Sequence, residues 1–238
     1  MMAVVLAGGK GTRLMPYTAV FPKPLMPLGD MPVIEILLRQ LARAGVTKVI
    51  LAVNHLHHLI RAFCGNGSSF GLEIEYCLED KPMGTAGPLT LMRDRLAEEF
   101  IVANGDLLTD FNMAAMIERH KKRNSGASMA VVQRQISIEF GLIETDEDMQ
   151  LTGYREKPVW PHLVSMGLYM FSRDAVAPYL GNKSYLDMPE LMRSLAADGV
   201  GVDCIRQDCS WLDIGQPADY AKAQTLFSDS REMYLGPV

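Results

Sequence analysis

Over the first 125 residues, short apolar runs alternate with segments whose apolar positions recur every three or four residues. The runs "MAVVL" and "KVILAVN" are nearly continuous in apolar residues, as strands buried on both faces are. Between them, "DMPVIEILLRQLARAG" sets Val33, Ile34, Leu37, Leu38 and Leu41 on one helical face, with Pro32 near its first turn and Gly45 at its end. The alternation continues with a helix in "LHHLIRAFCG", a strand in "EIEYCLE", a helix in "TAGPLTLMRDRLA" and a strand in "EFIVANGD". Asn112 then reads as the cap of a helix "MAAMIERHKKR". Beyond it, "GASMAVVQRQ" reads as a strand and "GLIETDEDMQLTGYREKP" as a hairpin with an acidic turn. A strand in "SMGLYMF", helices over 173–180 and 189–198, strands in "GVDCIRQD" and "SWLDIG", and a helix from Pro217 complete the pattern. Such alternation predicts an α/β fold with a Rossmann-like, mixed but mostly parallel sheet and helices on both faces. No repeat or linker interrupts it, so one compact domain is expected over 1–228, with a frayed tail at 229–238.

Composition narrows the function classes. Of 238 residues 48% are apolar, enough for a full core. No apolar run approaches the length of a membrane span, and no basic stretch followed by a long apolar region opens the chain. Cys64, Cys77, Cys204 and Cys209 have no CxxC spacing and read as buried thiols, not bridges or zinc ligands. A cytoplasmic protein without membrane attachment is expected. The net charge of −5 argues against broad nucleic-acid binding, so an anionic ligand would need a local basic pocket. A homo-oligomer is compatible with the sequence.

One turn offers such a pocket. "LAGGKGTRL" follows the first strand, where ligands bind in open α/β sheets. It is neither a P-loop, which needs G-x-x-x-x-G-K-[ST], nor a dinucleotide fingerprint, because Leu14 stands where the third glycine belongs. Glycines nevertheless let backbone N–H groups approach phosphate oxygens, and Lys10 and Arg13 add charged donors. From the loop alone, a plain turn carrying solvated basic residues remains the alternative. Further along, Lys23 lies between Pro22 and Pro24, which predicts a stiff, extended backbone presenting an ammonium group.

The stretch "LAGGKGTRLMPYT…FPKPLMPLGDMPVIE" resembles the sugar-1-phosphate nucleotidyltransferases, or nucleotide-sugar pyrophosphorylases. The resemblance continues in order through "EDKPMGTAGPL", "VANGD", "GYREKP", "SMGLYMF" and "WLDIGQPADY". It implies the nucleotide-diphospho-sugar transferase fold in a single nucleotidyltransferase domain, and a reaction of an NTP with a sugar 1-phosphate giving NDP-sugar and pyrophosphate. It implies that Gly8, Gly9, Lys10, Gly11 and Thr12 hold the triphosphate, that Arg13 stabilises the leaving pyrophosphate, and that Lys23 binds the α-phosphate. Asp106, at the carboxyl end of a strand, suits Mg²⁺ as a hard oxygen ligand. By resemblance Asp213 is the second metal carboxylate. Gly141, Glu156, Lys157 and Gly167 are implied as sugar-phosphate contacts, and Leu6 and Gly84 as backbone contacts to the nucleotide.

Glu79 bears on the base. Thymidylyl members carry glutamine at the matching position. A carboxylate only accepts hydrogen bonds, and guanine presents N1–H and N2–H₂ side by side. GTP is therefore favoured. Larger guanylyl members carry an extra β-helical domain, whereas the length here resembles the short group acting on mannose, heptose or amino-sugar 1-phosphates. A manno-configured hexose or heptose 1-phosphate is favoured. The rival expectations are a uridylyl- or thymidylyltransferase of the same family and a non-catalytic, sugar-nucleotide-binding regulatory homologue. The latter is disfavoured because the loop arginine, Lys23 and both carboxylates are all present.

Overall fold

In a computed structural model of the chain, residues 1–181 and 185–236 are described. Strand β1 (Met2–Leu6) leads through the glycine loop to a two-residue ladder of β2 (Pro27–Leu28) with β3 (Met31–Pro32), then to α1 (Val33–Arg43) and β4 (Lys48–Val53). Next come α2 (His57–Cys64), β5 (Glu73–Leu78), α3 (Pro88–Leu91), β6 (Glu99–Asn104), β7 (Leu107–Thr109) and α4 (Met113–Arg123). The second half holds β8 (Ala127–Ser137), β9 (Leu142–Thr145), β10 (Leu151–Arg155), β11 (Val159–Ser172) and α5 (Arg173–Val176). It closes with α6 (Met188–Ala197), β12 (Val202–Arg206), β13 (Trp211–Asp213), α7 (Pro217–Asp229) and α8 (Arg231–Leu235).

The central sheet has seven strands in the order β12-β8-β11-β6-β1-β4-β5. Every pairing in it is parallel except those made by β11, which runs against both β6 and β8. Alternate residues of β1 serve the two faces. Ala3 and Val5 pack with α1 and α4, while Met2 and Val4 pack with α3 and α6. From β1 the chain steps outward to β4 and β5, then returns to place β6 on the other side of β1. That reversal opens a crevice at the carboxyl ends of β1 and β6, the place where such sheets bind ligands.

The outer halves of β8 and β11 leave the sheet as a two-stranded arm, with Gln135 opposite Pro161 and Ser137 opposite Val159. The strand expected in "SMGLYMF" is therefore longer than its sequence suggested, starting at Val159 and passing through Pro161, a residue that strands seldom hold in their interior. Along the arm β11 pairs with β8 alone, since its pairing with β6 covers only Leu168–Ser172. A strand with one free side tolerates Pro161. The acidic hairpin is present as β9 and β10.

Two expected elements differ. The helix expected from Thr85 shrinks to α3 and a single 3₁₀ turn at Arg93–Arg95, because residues 85–87 bond to Leu186 and Asp187 instead of to one another. The tail expected to fray after residue 229 instead forms α8. Tyr234 there is buried, with its ring 6.0 Å from that of Phe227, and its carbonyl accepts from Gln40 at 2.9 Å. Both rings belong to a third apolar cluster with Leu14, Leu28, Ile36 and Leu212, lying beneath the glycine loop. Truncating a buried aromatic side chain costs about 3–5 kcal/mol. Tyr234→Ala is therefore expected to lose stability in that range in urea denaturation, despite lying four residues from the last one of the sequence.

Candidate active site

The crevice is a cavity of about 490 Å³. It is lined by Leu6, Gly8, Gly9, Lys10, Gly11, Thr12 and Arg13 of the first strand and its loop, by Lys23 and Asp106 at the switch point, and by Glu79 and Gly84. The turn after β1 is shaped by Gly11, at φ +62°, where an added Cβ would sit 2.9 Å from the Thr18 methyl group. The Thr18 hydroxyl donates to the Gly11 carbonyl at 2.7 Å and closes the loop. Lys10, Thr12 and Arg13 remain exposed on it.

Lys23 is not extended, as the flanking prolines suggested. Pro22 is extended, but Lys23 opens a one-turn 3₁₀ helix, Lys23–Leu25. Pro24 is tolerated there because an N–H in a first helical turn has no intrahelical partner. The turn sends the ammonium of Lys23 onto Asp106, with which it forms a short ion pair, and to within 3.3 Å of Asp213 Oδ1. The two carboxylates meet for a topological reason. β7 starts immediately after Asp106, and β13 runs antiparallel to it with Asp213 opposite Leu107. The ladder is extended by the Ile214 N–H donating to the Asp106 carbonyl at 3.2 Å. Burial pushes the Asp106 carboxyl above its ordinary range, opposed by the Lys23 charge and reinforced by that of Asp213.

Glu79 follows β5 and is 8% exposed. Its carboxylate lies against the glycine loop, where a Cβ on Gly8 would come 2.6 Å from Oε1. Burial raises its pKa, opposed by a hydrogen bond from the Met83 backbone. Asn54, at the end of β4, donates to the Glu79 carbonyl at 2.9 Å and also lines the cavity.

The four residues implied as sugar-phosphate contacts are outside the cavity lining. Gly167, at φ +73°, lies in the irregular stretch of β11 and packs on Asn104, which does line the cavity. Gly141 packs against Tyr154, whose hydroxyl donates to Glu156 at 2.9 Å. Glu156 and Lys157 are exposed just after β10. Asn54, Thr85, Tyr185 and Asp187, absent from the sequence reading, do line the cavity. Asn54 was findable as a polar residue ending an apolar strand. Asp187 reads as an ordinary helix cap and gave no signal.

The glycine loop, paired carboxylates and buried Glu79 occur in a chain whose residues 2–230 match the family described as Nucleotidyl transferase. The chain belongs to that family. It is 33% identical over 227 residues to the mannose-1-phosphate guanylyltransferase of Mycobacterium tuberculosis, covering 92% of this chain and 62% of that protein. It is 28% identical to the UTP–glucose-1-phosphate uridylyltransferase of Synechocystis, covering 94% of this chain and 62% of that one. This member of the family thus spans about 62–65% of the length of the first curated relatives it matches. The crystal structure of HddC from Yersinia pseudotuberculosis superposes with a TM-score of 0.74 at 24% identity, covering 95% of this chain and 99% of that one. That likeness bears on the fold: the nucleotidyl transferase sheet and its crevice.

The state of Glu79 has a consequence for stability. Its raised pKa means that the folded protein holds the proton more tightly than the unfolded chain does. The stabilisation from that proton is complete below the unfolded carboxyl pKa and is lost as pH rises through the folded one. Glu79→Gln, which cannot ionise, is therefore expected to be more stable than wild type at pH 8. The advantage should shrink toward pH 4, as read from urea midpoints at both pH values.

Proposed function

We propose that the protein transfers a guanylyl group from GTP to a manno-configured hexose or heptose 1-phosphate, giving a GDP-sugar and pyrophosphate. The observation that carries this reading is the buried Glu79 carboxylate against the glycine loop, in the same cavity as Lys10, Arg13, Lys23 and Asp106. Cations in a glycine-rich turn suit a triphosphate, and a double acceptor in the same cavity suits guanine's N1–H and N2–H₂. The similarity to guanylyltransferases over nearly all of this chain supports the same reading. The uridylyltransferase relative keeps the uridylyl alternative in view, and the base contact separates the two.

In the proposed reaction an oxygen of the sugar phosphate attacks the α-phosphorus. The bond from that phosphorus to the bridging oxygen breaks, and pyrophosphate leaves with the electron pair. The attacking phosphate is already anionic, so no general base is needed, and catalysis consists of positioning and charge stabilisation. Lys23 would neutralise the transferring phosphoryl group, and Arg13 the leaving pyrophosphate. Backbone N–H groups of Gly8 to Gly11 would orient the triphosphate.

The donor set fits Mg²⁺. Two hard carboxylates, Asp106 and Asp213, already converge on one cation, the Lys23 ammonium. Among the described residues no cluster of three or more His, Cys, Asp or Glu side chains forms a protein-only metal cage. A magnesium ion held by one or two carboxylates takes its remaining ligands from water and substrate phosphates. Bound by Asp106 and Asp213, it would supply positive charge to the phosphates. The acceptor would lie toward Gly167, Glu156 and Lys157, on the side of the arm. Action in the cytoplasm, where NTPs are abundant, belongs to the same proposal.

Asp106→Asn keeps an acceptor for Lys23, and Asp213 at 3.3 Å keeps a counter-charge, so the fold should survive. Turnover is expected to fall by at least about 10²-fold, because charge at the transferring phosphate is lost. Pyrophosphate release at saturating Mg²⁺ measures this, and near-wild-type turnover would sink the metal assignment. The base contact gives a separate test. Glu79→Gln replaces one acceptor by a donor, and one bidentate base contact is worth about 1–3 kcal/mol. The ratio of kcat/KM for GTP to that for UTP is expected to fall about tenfold to a hundredfold in the variant. An unchanged ratio would remove the physical support for GTP.

A further inference from the structure

Asp187 stands at the N-cap of α6, where a short acidic side chain ordinarily accepts a hydrogen bond from the first helical turn. It makes no such bond. Its Oδ1 accepts instead from the Thr85 backbone N–H at 3.0 Å and from the Thr85 hydroxyl at 3.2 Å, and its Oδ2 accepts from the Tyr185 hydroxyl at 2.8 Å. Thr85 Oγ1 in turn accepts from the Met188 N–H at 2.8 Å, at the start of the helix. The helix and the loop have exchanged caps across about a hundred residues of sequence. The forgone self-cap, ordinarily a stabilising contact, marks the carboxylate as serving the loop.

The remaining bonds show what is held. The Leu186 N–H donates to the Met83 carbonyl at 2.9 Å, and the Leu186 carbonyl accepts from the N–H groups of Ala86 and Gly87 at 2.9 and 2.8 Å. Every backbone N–H from Thr85 to Gly87 is thus bonded to Leu186 or Asp187. Gly84 is trapped between them at φ +81°, where an added Cβ would lie 2.5 Å from the Leu186 carbonyl and 2.8 Å from Asp187 Oδ1. Among the described residues the Gly84 N–H has no protein acceptor, and Gly84 lines the cavity. Met83, the next residue back, bonds the Glu79 carboxylate through its backbone.

We propose that Asp187 is a positioning residue for nucleotide recognition, which, by clipping Thr85 in place, holds the Gly84 N–H and the Met83–Glu79 contact in register for the base. This rests on the reading that Glu79 meets guanine. The ionised state suits the role, since the Thr85 N–H and the Tyr185 hydroxyl hold the Asp187 carboxyl below its ordinary value. Asp187 acts through Thr85 and Gly84 and takes no part in the phosphoryl chemistry, so its removal should be felt in nucleotide affinity and base choice, and turnover at saturation should persist.

The test compares wild type, Asp187→Ala and Asp187→Asn in steady-state assays with GTP and with UTP, alongside melting temperatures. Asp187→Ala is expected to raise KM for GTP about tenfold, the size of one lost hydrogen-bonded contact, with kcat within about twofold. Its preference for GTP over UTP should fall by a similar factor. Asp187→Asn retains an acceptor for the Thr85 N–H and should return KM to within about threefold of wild type. A lowered melting temperature with an unmoved KM, a fall confined to kcat, or an asparagine variant as impaired as alanine would each overturn the clip. A wild-type enzyme that uses UTP as readily as GTP would instead overturn the guanine reading, and the alanine effect on KM for UTP would then decide the clip by itself.

Discussion

The architecture of the site depends on one buried negative charge. Asp106 lies at the switch point of the sheet, where removing a carboxylate from water costs several kcal/mol unless a cation accompanies it. The accompanying cation is Lys23, and it bridges to Asp213 as well. Three segments far apart in sequence are thereby tied together: the proline turn around Lys23, the end of β6, and the β7–β13 ladder. Lys23 and Asp106 are mostly buried and compensate one another, while the more exposed Asp213 adds a second carboxylate to the same cation. This pairing sits above the third apolar cluster that supports the loop.

Around that corner the cavity is divided by charge. The glycine loop carries exposed cations on a protein of net charge −5, so the positive potential is local. Glu79 lies beside Gly8, buried where a carboxylate is costly. A ligand that brings phosphates at one end and paired N–H donors at the other relieves both conditions at once. A ligand with only one of these ends leaves the other charge uncompensated.

Much of this was readable from residue order. Continuous apolar runs announced the parallel strands, Asn112 announced the cap of α4 that its side chain makes to the Ala115 N–H, and the glycine loop and Lys23, singled out for their charge, line the cavity. What escaped the sequence was set by pairing between distant segments. The meeting of Asp106 with Asp213 needs the β7–β13 register, which no local spacing encodes. The loop at 84–87 reads as helix because its propensities are helical, yet its donors bond to Leu186 and Asp187 across the fold. Tyr234 sits in a tail whose periodicity is too short to reveal a buried face, and only packing with Ile36 of α1 and Phe227 of α7 in one apolar cluster makes it core.

β11 is a single strand living under two regimes. Its last residues, Met166 to Phe171, are buried in the sheet, while Val159 to Ser165 run along the arm with most side chains in water. The register break between Ser165 and Tyr169 separates the two halves, and Trp211 pins the junction through its indole N–H to the Met166 carbonyl at 2.9 Å. Arm positions that face water, such as Val159 and Leu163, are therefore free of the sheet's packing, whereas Arg134 and Ser165 still reach it through Trp211 and Tyr169. One strand thus joins a buried half, where a change of volume is felt by the whole sheet, to a solvent-facing half, where side chains can change with little cost to the fold.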